Sequence, residues 1–341
     1  MRLTGLAACL CASLLAAPSL ARDLTVVGFG GGFQDAARIH LFQAWSKATG
    51  VRLQDDTYNG EVARIYAMTQ ARDVTWDVVM VEAPELARGC EDGVFARLDP
   101  AVVRQDKFIP GGVTRCGAGA VGWGVALFYD QKRVAQSPRS YAELWDTKAF
   151  PGKRSLRFGP KMTLEIALMS DGVAPNDVYA VLATKAGQDR AFARLDAIKP
   201  HIIWWRSGAQ PLQLVGSGEA AYAVGYVGRT ARAASEGASY PLLWDTMLFS
   251  FDYWAVVRDS PHRADAMRLV DYMTDAKPLL ALSQDWAVSP ANAAAAADPA
   301  LQARHPNMIA SHADQGLFID TDFWAANGEE LEARFATWAA R

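Results

Sequence analysis

The most informative segment of the chain reads Ile202-Ile-Trp-Trp-Arg-Ser-Gly-Ala-Gln-Pro-Leu-Gln-Leu-Val-Gly-Ser-Gly-Glu219. Two neighbouring tryptophans precede a Ser-Gly-Ala-Gln turn, and a short helical segment follows it. Because side chains alternate along a strand, the two rings are expected on opposite faces. Downstream, an apolar strand ends at Tyr226 near Gly228, and a lone carboxylate, Asp252, interrupts an apolar run. An unpaired buried charge is costly, so Asp252 calls for a specific partner.

Strand-like and helical patterns alternate along the rest of the chain. The predicted strands cover residues 24–28, 51–53, 77–81 and 121–129, and the predicted helices cover 34–48, 61–70, 84–89, 141–145, 189–198 and 264–274. Ser140 is the expected N-cap of the fourth helix, and Met267, Val270 and Met273 share the inward face of the last. This alternation predicts an α/β protein with parallel sheets covered by helices on both faces.

The order of these motifs resembles that of the periplasmic solute-binding proteins of ABC importers, in the branch that includes the spermidine/putrescine-binding proteins. The resemblance extends from Leu24 to Trp338. It implies two α/β lobes with a hinge and a ligand cleft between them. It also implies that the chain crosses from one lobe to the other more than once. We expect the crossovers near residues 128–130 and 249–252. Lobe one would then comprise residues 22–128 and 251–288, and lobe two residues 129–250 and 289–341.

The first 21 residues have the composition of a secretory signal peptide. Arg2 precedes a short apolar core, and Ser19 and Ala21 are small residues at the two positions that a signal peptidase recognises. An N-terminal membrane anchor would need a longer apolar run. A lipoprotein would use Cys9 or Cys11, but the apolar core continues beyond both. We therefore expect cleavage after Ala21 and a periplasmic protein.

The composition argues against several functional classes. The net charge of −3 gives no sign of a basic surface for nucleic acid or membranes. The five histidines are scattered, and no nucleophile elbow, P-loop or zinc-protease helix motif occurs. The glycine cluster after the first strand has Phe33 where the dinucleotide fingerprint needs glycine. We therefore expect no catalytic residue, no metal and no cofactor. An exported enzyme that uses Asp252 as a general acid or base is the alternative, but it lacks a second titratable partner.

Two cysteines, Cys90 and Cys116, remain after cleavage of the signal peptide. An even pair in an exported chain predicts a disulfide bond. The bond would close the loop-rich stretch from Asp92 to Gly112. Two buried free thiols are the alternative, and a zinc site would need histidines that are not nearby.

The resemblance also implies roles for Asp252 and Tyr226. In the spermidine/putrescine-binding family, an aspartate after the second crossover holds a ligand amine, and a nearby aromatic ring stacks on the ligand. Val227 stands where that family usually has asparagine. The turn after Gly159, where the family has another acid, opens with Lys161 and Met162. Glu165 could substitute for that acid, or it could lie at the surface. This departure weakens a polyamine assignment, since a long diamine needs acids at both ends.

Other candidate ligand contacts come from the residues themselves. Trp123 is flanked by glycines that leave its ring accessible, and aromatic faces bind cations. Arg206 would suit a ligand carboxylate, unless it points to solvent or pairs with Glu219. Glu82 ends a strand where open α/β sheets place ligand contacts, or it caps the next helix.

Phe29 and Gly31 lie in the glycine turn after the first strand. The amides of that turn would receive an anionic or polar group, or the segment is a plain tight turn. The expected ligand is a small amine-bearing solute, either a polyamine or an amino acid of the γ-aminobutyrate kind. An organic acid or a sugar held by Arg206 and the glycine turn is the alternative. We expect a monomer that delivers its solute to an ABC permease in the inner membrane.

Overall fold

The structure is a computed structural model that describes residues 22–58, 60, 62–134, 136–287 and 289–341. The predicted signal peptide lies outside the described residues. In the described part of the chain, nine strands form one mixed sheet. The strands are β1 (Leu24–Gly28), β2 (Leu53–Thr57), β3 (Val78–Glu82), β4 (Gly117–Tyr129), β5 (Arg154–Arg157), β6 (Ile202–Trp205), β7 (Tyr222–Tyr226), β8 (Leu242–Val256) and β9 (Leu317–Phe318).

Helices cover both faces of the sheet, as the α/β pattern predicts. They are α1 (Gly31–Ala37), α2 (Ala44–Thr49), α3 (Ala63–Ala71), α4 (Ala83–Glu91), α5 (Tyr141–Trp145), α6 (Thr163–Ser170), α7 (Val178–Leu182), α8 (Lys185–Ile198), α9 (Gln210–Ser217), α10 (Val227–Ser235), α11 (Arg263–Met273), α12 (Ala276–Leu282), α13 (Ala293–Ala296), α14 (Pro299–Arg304) and α15 (Thr321–Ala339). A π-helical segment, Arg38–Gln43, joins α1 to α2, so the predicted helix over residues 34–48 is one continuous helical stretch.

Local sequence signals explain several of these helix ends. The Ser140 side chain accepts a hydrogen bond from the Glu143 amide, as predicted for an N-cap. Proline occupies the first turn of α4 and of α9, where its missing N–H has no cost. Gly218 ends α9 in the left-handed conformation at φ 84°.

The strand order is β2-β1-β3-β8-β4-β7-β5-β6, with β9 paired to β8. The sequence predicted parallel sheets, but the sheet is mixed. β1 pairs in parallel with β2 and β3, and β5 pairs in parallel with β6 and β7. β8 runs antiparallel to β3 and β4, and β4 also runs antiparallel to β7. β4 and β8 are also the longest strands, at 13 and 15 residues. Each passes from the side that holds β1–β3 to the side that holds β5–β7.

We refer to the side that holds β1–β3 as the first lobe and to the side that holds β5–β7 as the second lobe. Each lobe has its own buried core. In the first lobe, Met267, Val270 and Met273 of α11 are buried as the helical spacing predicts. In the second lobe, residues of α6, α8 and α15 pack together. Burial of each such side chain contributes roughly 1.5–3 kcal/mol. The lobe boundaries given above in residue numbers stay a prediction.

Two further features concern the covalent frame and the helix lengths. A disulfide bond joins Cys90 at the end of α4 to Cys116 just before β4, with 5.8 Å between the Cα atoms, so the predicted pairing is confirmed. None of the helices among the described residues is both long and apolar enough to cross a membrane.

Candidate ligand-binding cleft

Strand ends from both lobes converge on one region of the sheet. β1 and β3 are parallel, so their carboxyl ends lie at the same edge of the first lobe. β5, β6 and β7 likewise end together in the second lobe. The two sets are joined through β4, whose Val121 lies opposite Asp252 and whose Val125 lies opposite Tyr226. Carboxyl ends of strands are the usual position of ligand sites in open α/β sheets.

Trp123 lies on β4 midway between the two lobes. Its indole nitrogen donates a hydrogen bond of 3.0 Å to Oδ1 of Asp252. Its ring meets the ring of Tyr226 edge to face at 6.1 Å between centroids. Tyr226 packs in turn against Trp205, whose ring is buried while Trp204 faces the opposite side. The structure therefore brings together Trp123, Tyr226 and Asp252, three residues that the sequence singled out.

Asp252 lies directly opposite Glu82 in the antiparallel pairing of β8 with β3. Residues paired in this way have Cβ atoms about 5 Å apart on one face of the sheet. Burial raises the pKa of Asp252 well above its usual value, and the neighbouring Glu82 raises it further. The hydrogen bond from Trp123 and the charge of Lys161 act in the opposite direction. A cation placed here would relieve the repulsion between the two carboxyl groups.

Glu82 stands at the N-cap position of α4, but its side chain makes no capping hydrogen bond. Its carboxylate instead accepts a hydrogen bond of 3.0 Å from Nζ of Lys161 in the second lobe. Glu85, one turn into α4, is the third acid of this group. Burial raises the pKa of Glu85, with a further contribution from Glu82. One oxygen of Glu85 is buried without a hydrogen-bond partner among the described residues.

The opposite side of this region carries positive charge. Arg157 ends β5, and Lys161 lies in the turn between β5 and α6. Both cations act to lower the pKa of Tyr226 and that of Glu332, against the burial that raises each. Among the described residues, the guanidinium of Arg157 has neither an ion-pair partner nor a hydrogen-bond acceptor. Acids on the first lobe thus face cations on the second.

The remaining predicted contacts lie further out. Arg206 is exposed, and its guanidinium lies 3.5 Å from the ring centroid of Phe158. Phe29 follows β1, one strand further from Asp252 than Glu82, and its ring stacks on Tyr58 at 5.4 Å. Gly31 begins α1 at φ 69°, and a Cβ added there would meet no other atom within 4 Å.

The Gly30 amide in the same turn donates to the side chain of Gln34 at 2.9 Å. At least one amide of the glycine turn is therefore satisfied within the chain.

The sequence analysis did not assign three of these charged residues to the site. Glu85 had a signal, because it follows Glu82 by three positions and lies in the first turn of the helix that begins there. Arg157 had no signal, since nothing in the sequence marks the end of β5 as facing the other lobe. Lys161 was noticed only as a departure from a family pattern, and its pairing with Glu82 joins positions 79 residues apart.

Glu165 is neither at the surface nor in this group. It is fully buried in the second lobe, where its carboxyl group accepts hydrogen bonds from Tyr179 at 2.9 Å and Trp324 at 2.7 Å. Burial raises the pKa of Glu165 to about 7. The possible surface position of Glu165 is therefore wrong, because three helices enclose it.

A groove of about 990 Å³ lies on the other face of β8. Tyr253 lines it, and side chains of adjacent strand residues point to opposite faces, so Asp252 does not. α4 and the start of α15 form its sides. The opposed charges described above are on the Asp252 side, and we place the candidate site there.

Comparisons with known proteins identify the family of the chain. Residues 40–309 match the sequence model of a family described as bacterial extracellular solute-binding protein. The chain is 39% identical over 333 residues to the γ-aminobutyric acid-binding protein of Pseudomonas aeruginosa, covering 96% of this chain and 93% of that protein.

Two solved structures are also similar along nearly the whole chain. The Atu4243–GABA receptor has a TM-score of 0.84 and 28% identity, covering 94% of this chain and 98% of the other. An ABC transporter substrate-binding protein from Bradyrhizobium japonicum has a TM-score of 0.82 and 28% identity, covering 93% and 99% of the two chains.

Proposed function

Because the chain belongs to the family of bacterial extracellular solute-binding proteins, we propose that it is the periplasmic binding component of an ABC importer for an ω-amino acid such as γ-aminobutyrate. The observation that carries the ligand assignment is the opposition of charge across Trp123. Asp252, Glu82 and Glu85 lie on the first lobe, and Arg157 and Lys161 on the second. A ligand with an ammonium group at one end and a carboxylate at the other matches this arrangement.

The ligand ammonium would lie against Asp252, next to Glu82. A hydrogen bond to a charged group contributes roughly 1.5–3 kcal/mol, and the ammonium would also offset the repulsion that raises the pKa of Asp252. The rings of Trp123 and Tyr226, which contact each other beside the carboxylate, would cover the methylene groups. Aromatic faces also stabilise a neighbouring cation.

The ligand carboxylate would bind Arg157. An arginine without an ion-pair partner among the described residues can form two parallel hydrogen bonds to a carboxylate. Arg206 follows β6 at the same edge of the second lobe and, with Phe29 and Gly31 of the glycine turn, would form the rim of the cleft. These contacts would draw the two lobes together by hinge closure around the ligand.

The cellular setting is part of the same proposal. Residues 1–21 would direct export and be removed, and the mature protein would bind its solute in the periplasm as a monomer. It would then deliver the unmodified solute to an ABC permease in the inner membrane. We expect no catalysis, so γ-aminobutyrate recovered from the protein should be chemically unchanged by NMR.

Isothermal titration calorimetry and thermal shift on the mature protein test the ligand assignment. The ligands are γ-aminobutyrate, putrescine and succinate, each at matched ionic strength. A ligand at about 100 times its dissociation constant stabilises the fold by roughly 2.7 kcal/mol. We expect γ-aminobutyrate to give the largest shift. A shift with succinate alone would refute the amine-bearing ligand and leave the family membership intact.

A further inference from the structure

An ion pair connects the two lobes inside the candidate cleft. Nζ of Lys161 lies 3.0 Å from Oε2 of Glu82, and the Lys161 side chain is only 15% exposed while that of Glu82 is 46% exposed. Glu82 belongs to the first lobe as the last residue of β3, and Lys161 belongs to the second lobe in the turn before α6. The lysine therefore reaches across the cleft to the acidic side.

Asp252 and Glu82 offer two positions for a cation, and this ion pair occupies the position at Glu82. Glu82 and Asp252 are directly opposed on neighbouring strands, so two carboxyl groups share one surface. The ammonium of Lys161 already neutralises Glu82. Among the described residues, Asp252 receives a neutral hydrogen bond from Trp123 and has no ion-pair partner, so it is available for a ligand ammonium on the same face of the sheet as Glu82.

We propose that Lys161 determines specificity by admitting ligands with one ammonium group and excluding diamines. The inference rests on the proposed function and narrows it. A diamine bound to Asp252 would bring its second ammonium either to Glu82, which already holds the ammonium of Lys161, or to the guanidinium of Arg157 at the other end of the cleft. Like charges at short distance in a partly dehydrated cleft repel strongly. An ω-amino acid has a carboxylate at that end and is attracted instead.

A purely structural role for Lys161 makes a different prediction. If the ion pair only held the lobes together, removal of the lysine would weaken every ligand by a similar factor. If Lys161 sets specificity, its removal weakens γ-aminobutyrate but strengthens putrescine. The ratio of the two dissociation constants separates these roles, because a common factor cancels from it.

The experiment compares Lys161→Gln with the wild-type protein by calorimetry, using γ-aminobutyrate and putrescine. Lys161→Arg keeps the charge and should keep the wild-type ratio. Lys185→Gln is the matched control, since Lys185 pairs with Asp189 at 3.2 Å on an exposed helix face away from the cleft. Melting temperatures report folding, and Lys161→Met is a second neutral variant if glutamine destabilises the protein.

We expect the ratio of the putrescine to the γ-aminobutyrate dissociation constant to fall at least tenfold in Lys161→Gln and to change little in Lys161→Arg and Lys185→Gln. An unchanged ratio in a folded Lys161→Gln protein that still binds γ-aminobutyrate overturns this inference and leaves the proposed function standing. A wild-type protein that is folded but binds putrescine more tightly than γ-aminobutyrate overturns both.

Discussion

The indole N–H of Trp123 points at the carboxylate of Asp252, and the two groups form a 3.0 Å hydrogen bond between β4 and β8. These two strands connect the lobes, so the hydrogen bond lies where the lobes meet. It fixes one oxygen of Asp252 and leaves the other for a ligand. The first prediction concerns this contact.

Trp123→Phe keeps an aromatic ring but removes the hydrogen bond to Asp252. Without this donor the carboxylate is less well positioned and its ionised form is less stabilised, since the hydrogen bond lowers the Asp252 pKa. We expect γ-aminobutyrate to bind about tenfold more weakly, which corresponds to about 1.4 kcal/mol. Trp244→Phe is the control, because Trp244 stacks on His312 outside the cleft. Equal affinities for Trp123→Phe and wild type would exclude a role for the hydrogen bond.

Asp252→Asn removes the charge that would face the ligand ammonium. Binding should weaken by tenfold or more, because a charge-assisted hydrogen bond is lost. Stability should not fall. The folded-state pKa of Asp252 is raised, so the stability it contributes is present below its unfolded pKa and is lost as the pH rises. At pH 7 the ionised group is therefore unfavourable in the empty cleft, and asparagine relieves it.

Asp245→Asn is the matched control for Asp252→Asn, since Asp245 is exposed on the same strand. Calorimetry gives the affinity of each variant and thermal unfolding gives its melting temperature. A destabilised Asp252→Asn protein with unchanged affinity would show that Asp252 is structural and would remove it from the site.

The bond between Cys90 and Cys116 should stabilise the first lobe without affecting the ligand. It closes a segment of 26 residues, for which loop-closure entropy predicts a contribution of about 3.5 kcal/mol. We expect Cys90→Ala combined with Cys116→Ala to lower the free energy of unfolding by about this amount and to leave the affinity for γ-aminobutyrate unchanged. Dithiothreitol should lower the melting temperature of the wild type but not that of the double alanine variant. Protein isolated from the periplasm should show no free thiol after denaturation without reductant.

Glu165 should make stability depend on pH. Burial raises its pKa from 4.5 to about 7, although Trp324 and Tyr179 donate hydrogen bonds to it, and Tyr141 is the other titratable group that its charge influences. For an acid with a raised folded-state pKa, the stabilisation is complete below about pH 4.5 and is lost as the pH rises to about 7. The shift corresponds to about 3 kcal/mol.

Glu165→Gln cannot ionise, so its stability relative to wild type should rise by about 3 kcal/mol between pH 4.5 and pH 7. Urea unfolding of both proteins at several pH values measures this difference in the free energy of unfolding. The contributions of the other titrating groups cancel, because both proteins share them. If the free energy of unfolding changed with pH in the same way for the two proteins, Glu165 would not titrate in this range. Glu219→Gln, at an exposed position in the second lobe, is the control.

The sequence was sufficient for those features that depend on local pattern. The Ser140 cap, the inward face of α11 and the alternation of Trp204 and Trp205 all follow from residue spacing of a few positions. The disulfide followed from counting, because two cysteines remain after the predicted signal peptide is set aside. The direction of β4 and β8 did not follow, since an apolar run reads the same for parallel and antiparallel strands.

Long-range charge pairing was beyond the sequence. Lys161 and Glu82 come from different lobes and stand 79 positions apart, and no local pattern relates their positions. Glu165 was misjudged for a related reason. A glutamate is rarely buried without a partner, and its hydrogen-bond donors, Tyr179 and Trp324, come from two other helices.

A crystal structure of the mature protein with γ-aminobutyrate tests the central claim most directly. The measured quantity is the orientation of the ligand between the lobes. We predict that its ammonium nitrogen lies within hydrogen-bond distance of the Asp252 carboxylate, about 2.7–2.9 Å, and that its carboxylate contacts Arg157. A ligand bound with its carboxylate toward Asp252, or bound outside the cleft that contains Trp123 and Tyr226, would contradict the proposed site.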